Sequence, residues 1–202
     1  MMENAERKPH DMVGTMVVIV GPSGAGKDSL INYIRPHLAD RDTVNFVRRV
    51  ITRPSDAGGE DHQPASMTDF EMLRQRGEFA IHWQAHGLSY GIPASVGHVL
   101  ANGHTAIANG SRSALDRFAS AFPNLLVVNV IATPDVLASR LQSRGRESRQ
   151  DIEARLRRSN AFSVPADYRS VTIDNSGALH EAGERLLEVI TGLDLSGSAA
   201  TG

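Results

Sequence analysis

Cysteine is absent from the 202 residues, which excludes disulfides and thiolate metal sites and leaves the redox compartment open. No apolar run approaches the ~20 residues that a membrane-spanning helix needs. Residues 1–12 are polar and charged, without the hydrophobic centre of a secretory leader, so the cytoplasm is the expected location. The formal net charge of −2 supplies no basic field, and neither nucleic acid nor an anionic membrane is an expected partner. Lysine is also scarce: only two of the 21 cationic side chains are lysines, Lys8 and Lys27, and the rest are arginines, which suit planar, bidentate recognition of phosphate. A chain of this length fits one domain with a sizeable core.

What is present begins with Gly21-Pro22-Ser23-Gly24-Ala25-Gly26-Lys27-Asp28-Ser29, placed directly after the apolar run Met16 to Val20. The glycines let the backbone curl until successive N–H groups face inward, and the helix that starts near Lys27 points its positive end at the same place. This is a phosphate-binding loop, and a nucleoside triphosphate is the expected ligand. Lys27 stands where the lysine of such loops reaches the outer phosphates. The next position, normally Ser or Thr for magnesium, is Asp28, with a hydroxyl one residue later at Ser29. Either oxygen, or Asp28 acting through a water, can serve Mg²⁺, and Asp28 is the preferred ligand.

Apolar, β-rich runs recur at Met16 to Val20, Val47 to Ile51, Phe79 to Trp83, Thr105 to Ala108, Leu125 to Ala132 and Val171 to Ile173, with helical patterns between most of them. The alternation predicts an α/β fold with a mainly parallel sheet. Leu125 to Ala132 reads as a central strand buried on both faces. Thr68 and Glu71 predict a capping box for a helix that Gly77 closes, and Thr133-Pro134 predicts another helix start. Two polar stretches, Arg53 to Pro64 and Ser143 to Asp151, read as loops of the kind that cover a phosphotransfer site. Trp83 and His82 read as packing residues, and Ser176 as a helix N-cap or part of a base pocket.

Further motifs follow the phosphate loop in order: Ile51-Thr52-Arg53-Pro54, Gly59-Glu60-Asp61, Arg76-Gly77-Glu78-Phe79, His86-Gly87-Leu88-Ser89-Tyr90-Gly91-Ile92-Pro93, Arg140-Leu141-Gln142-Ser143-Arg144-Gly145-Arg146 and Ala154-Arg155-Leu156. From Met16 to about Ile190 this series resembles the guanylate kinase family. The resemblance implies a three-layer α/β/α P-loop fold in a single domain over 14–193, between disordered tails at 1–13 and 194–202. It also implies a small antiparallel acceptor-binding region at about 43–92 and a lid at about 143–158. The acceptor positions depart from that family. The serine and glutamate that bind the guanine edge there are Arg49 and Ile81 here, a family aspartate is Asn109, and a second acceptor arginine is Asp56. Guanine needs a hydrogen-bond acceptor that Ile81 lacks, and Arg49 offers only donors. Each base group left unpaired would cost about 1–3 kcal/mol.

These substitutions are similar to a branch of the family that phosphorylates ribose 1,5-bisphosphate to 5-phosphoribosyl 1-diphosphate in phosphonate use. The resemblance then implies a small sugar phosphate as substrate, ATP and Mg²⁺ as cofactors, and a monomer or homodimer. It assigns Arg49, Arg53, Glu60, His86, Tyr90, Asn109 and Arg112 to the substrate, and Lys27, Arg144 and Arg155 to catalysis, with Arg140 and Arg146 as second choices. A phosphate acceptor is already ionised near neutrality, its second pKa being about 6, and needs no general base. Catalysis reduces to positioning and charge neutralisation. The competing readings are a nucleoside monophosphate kinase of altered base preference and a guanylate-kinase-like binding module without activity.

Overall fold

The computed structural model describes residues 14–54, 60–143 and 162–197. In chain order they form β1 (Met16–Val20), α1 (Lys27–His37), β2 (Val44–Phe46), β3 (Val50–Ile51), β4 (Gln63–Pro64), α2 (Met67–Gln75), β5 (Phe79–Ala85), β6 (Leu88–Pro93), α3 (Val96–Ala101), β7 (Thr105–Asn109), α4 (Leu115–Ala121), β8 (Leu125–Ile131), α5 (Pro134–Ser143), β9 (Ser170–Asp174) and α6 (Leu179–Gly197). A five-stranded parallel sheet has the order β2-β7-β1-β8-β9, and a four-stranded sheet the order β4-β3-β6-β5. The expected α/β class with a parallel core sheet is present. No helix among the described residues is long and apolar enough to cross a membrane.

The chain divides into two compact units. Of the described residues, the first takes those up to Val17, between Thr43 and Ala108, and Ser113–Leu125; the second takes Val18–Asp42, Asn109–Arg112 and those from Leu126 on. In the second, Val18, Ile19 and Val20 are fully buried, as are Val127, Val128 and Val130 of β8. Strands buried on both faces carry unbroken apolar runs, which is how Leu125 to Ala132 reads in the sequence. Helix α1 buries Leu30, Ile31 and Ile34, one stripe at helical spacing, and packs on α6, where Ala182, Leu186 and Ile190 are buried. Their close approach runs over Gly183, where a Cβ would lie 2.3 Å from the Tyr33 ring.

The first unit carries the small sheet, and here several expectations need correcting. Phe79 to Trp83 lies in it, within the small antiparallel region expected at about 43–92, as β5 and β6 form an antiparallel hairpin closed by His86 and Gly87, at φ 51° and 73°. Both turn residues sit in the left-handed region, as a two-residue hairpin with right-handed strand twist requires. The sheet is mixed, not purely antiparallel, since β3 pairs with β4 in parallel. Gln63–Pro64, expected as loop, is therefore strand, and of the run Val47 to Ile51 only its last two residues are. Helix α2 is capped by Ser66, whose Oγ accepts from the Asp69 N–H at 3.0 Å, and not by Thr68. Ser66 has the extended backbone of a cap, φ −69° and ψ 164°, whereas Thr68 already lies inside the helix. Ser176 does not cap the last helix, which starts at Leu179; its Oγ accepts from the Thr133 N–H at 2.9 Å. That helix runs to Gly197, past the boundary expected at 193.

Gly91 of β6 lies under the Phe79 ring, which in turn packs on Phe70 with ring centroids 4.7 Å apart. A Cβ on Gly91 would meet Phe79 Cε1 at 2.5 Å. Gly91→Ala is therefore expected to destabilise the protein by about 1–3 kcal/mol, the usual range for overpacking, read as a lower urea midpoint with unchanged slope.

Candidate active site

The second unit builds the phosphate loop on the end of β1. Gly24 and Gly26 both have φ +87°, and a side chain at Gly26 would put its Cβ 2.4 Å from Asn175 Nδ2. At Gly21 the obstacle is backbone: a Cβ there would stand 2.3 Å from the Val130 carbonyl oxygen. The loop is thus packed from behind as well as curled. Asn175, buried after β9, donates its amide to the Ala25 carbonyl at 2.7 Å, and Arg140 Nη1 donates to the Gly24 carbonyl at 3.4 Å. The sequence pattern held no sign of Asn175 as a brace, because its partner lies 150 residues away. Lys27 heads α1, and its ammonium donates to the carbonyls of Gly21 at 3.0 Å and Pro22 at 3.2 Å. Arriving phosphate oxygens would exchange with these neutral acceptors for a stronger, charge-assisted pairing.

Asp28 is half-buried in the first turn of α1, and its Oδ1 accepts from Asn109 Nδ2 at 2.5 Å. Ser29 is exposed. Asn109, expected beside the substrate, thus stands against the loop. Arg112 follows it: its guanidinium lies 4.4 Å over the Phe162 ring and its Nη2 donates to Asn129 Oδ1 at 3.4 Å. Burial lowers the Arg112 pKa, although no arginine in this range loses its charge near neutrality.

The first unit gathers Arg49, Arg53, Glu60 and Tyr90 on its small sheet. Arg49 ends the approach to β3 and is 8% exposed. Its Nε and Nη2 both lie 2.7 Å from Glu60 Oε1. The guanidinium also sits 4.9 Å over the Tyr90 ring and 5.7 Å over the Trp83 ring, which stack on each other at 5.3 Å and 10°. Arg49 is therefore an anchored cation whose charge Glu60 largely balances. Trp83, read as simple packing, is the floor of this stack. Arg53 is held by His62, a buried residue of the same segment. His62 Nε2 lies 3.0 Å from the Arg53 carbonyl oxygen, and its Nδ1 lies 3.0 Å from the Glu60 carbonyl oxygen and 3.3 Å from Arg53 Nη2. Asp61 forms only an exposed pair with Arg48, at 2.9 Å. Tyr90 has its pKa raised, mainly by burial, so its hydroxyl remains a donor through neutral pH. Arg53 Nε and Trp83 Nε1 are buried donors without partners, groups that an oxygen-rich ligand would satisfy.

His86 takes no part in this cluster; it is exposed at the hairpin tip. Asp56 and the catalytic candidates Arg144 and Arg155, with Arg146 and nearly all of the expected lid, fall outside the described residues.

The guanylate kinase family model matches residues 13–192. A ribose 1,5-bisphosphate phosphokinase PhnN of Agrobacterium fabrum is 55% identical over 175 residues, 87% of this chain and 95% of that protein. Another with the same name, from Rhizobium etli, is 53% identical over 89% of this chain and 91% of its own length. Among solved structures, a guanylate kinase from Anaplasma phagocytophilum superposes with a TM-score of 0.64 at 17% identity, covering 90% of this chain and 86% of that one, a likeness of fold. By its sequence match over residues 13–192, the chain belongs to the guanylate kinase family.

Proposed function

We propose that the protein transfers the γ-phosphoryl group of ATP to the 1-phosphate of ribose 1,5-bisphosphate, giving 5-phospho-α-D-ribose 1-diphosphate and ADP, and that it serves phosphonate degradation. The observation that carries this reading is the 53–55% identity, over almost the full length of both chains, to proteins named for that activity. The residues support it from both sides. The second unit has a braced phosphate loop with its lysine; the first has arginines, a protonated tyrosine and unpaired buried donors, and nothing at Ile81 to accept from guanine.

One acceptor oxygen attacks the γ-phosphorus as the bond to the ADP oxygen breaks, and the 1-phosphate needs no base to become a nucleophile. Lys27 neutralises the outer phosphates of the donor. Arg53, oriented by His62, and the Tyr90 hydroxyl hold the acceptor phosphate. Arg49 closes the space that a base would need and presents its remaining N–H groups. Arg144 and Arg155 are assigned to the transferring group by resemblance. Mg²⁺ would add charge neutralisation between donor and acceptor. Asp28 suits it as a hard oxygen donor already oriented by Asn109, and Ser29 is the second choice. No cluster of three His, Cys, Asp or Glu capable of holding a metal exists among the described residues, in keeping with an ion that arrives on the nucleotide and keeps several waters.

The test is incubation with ATP, Mg²⁺ and ribose 1,5-bisphosphate, beside a reaction with GMP, followed by phosphorus NMR. A diphosphate signal on the sugar and none from GMP is expected. Turnover of GMP would replace the acceptor assignment with a nucleoside monophosphate kinase, and silence in both would favour a binding module.

A further inference from the structure

The contact between β7 and α1 carries more than packing. Strand β7 is buried along its whole length, and its last residue, Asn109, is 8% exposed. Next to it, the Gly110 N–H donates to the Ile19 carbonyl at 2.8 Å, which ties this end of β7 to the strand that feeds the phosphate loop. Asn109 is therefore held rigidly, and the amide it projects reaches Asp28 Oδ1 at 2.5 Å. A carboxylate at the end of an aspartate rotates easily about its last bond, a broad torsion with no strong minimum. One fixed donor removes that freedom and leaves Oδ2 with a set direction. The donor is also neutral. An arginine or lysine at the same place would form an ion pair and cancel the charge that a divalent cation needs; an amide orients the carboxylate and leaves its full negative charge.

The geometry points to Asn109 as the residue that positions Asp28 for the nucleotide-bound divalent metal, and not as a substrate ligand. This rests on the proposed role of Asp28 toward Mg²⁺. Partners that orient a ligating carboxylate are worth roughly 10- to 100-fold in metal affinity when removed.

The test measures binding of a non-hydrolysable ATP analogue to the full chain by calorimetry, once in EDTA and once with Mn²⁺, with the Mn²⁺ electron paramagnetic resonance signal followed in parallel. The ratio of the two affinities isolates the metal's contribution. Asn109→Leu, which keeps the branched four-atom side chain without the donor, is expected to reduce that ratio by roughly 10- to 100-fold while binding in EDTA stays as in the parent protein. Asn109→Ala, smaller and free of any shape conflict, should do the same, and thermal melts of both show that the fold is kept. Asp28→Ala separates the two readings. If Asp28→Ala lowers the ratio and neither Asn109 variant does, the positioning role is overturned and the metal assignment stands. If none of the three lowers it, Asp28 is not the ligand and both fall. A loss in EDTA as large as the loss with Mn²⁺ would reduce Asn109 to a structural support of the loop and overturn the proposal.

Discussion

Lys27→Ala is expected to lower kcat by about 10²- to 10³-fold, the usual cost of removing one aimed donor from developing charge, or about 3–4 kcal/mol of barrier. The effect follows from where Lys27 sits: at the first turn of α1, with its ammonium already against the loop carbonyls of Gly21 and Pro22. Lys27→Arg should not rescue it. A planar guanidinium cannot take the place of a compact ammonium within a loop braced from behind by Asn175 and Val130. Steady-state kinetics with the sugar bisphosphate check both variants. The scarcity of lysine offers a second measurement. Lys27 is the only lysine among the described residues, so its modification by an amine reagent, and protection by ATP, can be followed by peptide mapping without competition from neighbours. Full turnover by Lys27→Ala would overturn the assignment of the loop as the donor site.

Arg49→Ala should cost about 3–5 kcal/mol of stability, because it removes the guanidinium that pairs at 2.7 Å with the Glu60 carboxylate, a side chain only 12% exposed. It also removes the cation from the Tyr90 and Trp83 faces. Replacing both members, as in Arg49→Met with Glu60→Leu, should restore most of the stability, since an apolar pair of similar volume avoids the desolvation cost of two buried charges. On the proposed role of Arg49 at the acceptor, it should not restore acceptor binding, because the guanidinium N–H groups are gone. Denaturant unfolding and the KM for the sugar bisphosphate, measured on the single and double variants, separate the two effects. Near-parent stability of Arg49→Ala would mean that the pair is solvated and that the guanidinium is available as a free phosphate ligand.

The donor half was legible because its chemistry is local. Glycine spacing, a lysine and a preceding apolar strand are all contained within Met16 to Ser29, and the structure keeps them as β1, a curled loop and the start of α1. The parallel sheet was legible for a similar reason, since strands buried on both faces carry continuous apolar runs. The small sheet was not. Its strands are short, and β4 contains a proline and no apolar alternation, so only pairing with β3 makes Gln63–Pro64 a strand. The N-cap at Ser66 was misplaced because Ser, Thr and acidic residues crowd the start of α2, and several caps satisfy the same pattern.

By itself, the sequence determined the α/β class and the phosphate loop, because each depends on which residues are present and on spacings of a few positions. Tertiary structure alone decided what those residues face. Asn109 meets Asp28 across 81 positions, Asn175 braces Ala25 across 150, and Arg49 spends its charge on Glu60. Each of these side chains has several possible partners of equal chemical merit along the chain. Burial chooses among them, since an unpaired polar group inside the fold costs about as much as the hydrogen bond it lacks, and the fold brings these particular partners within reach.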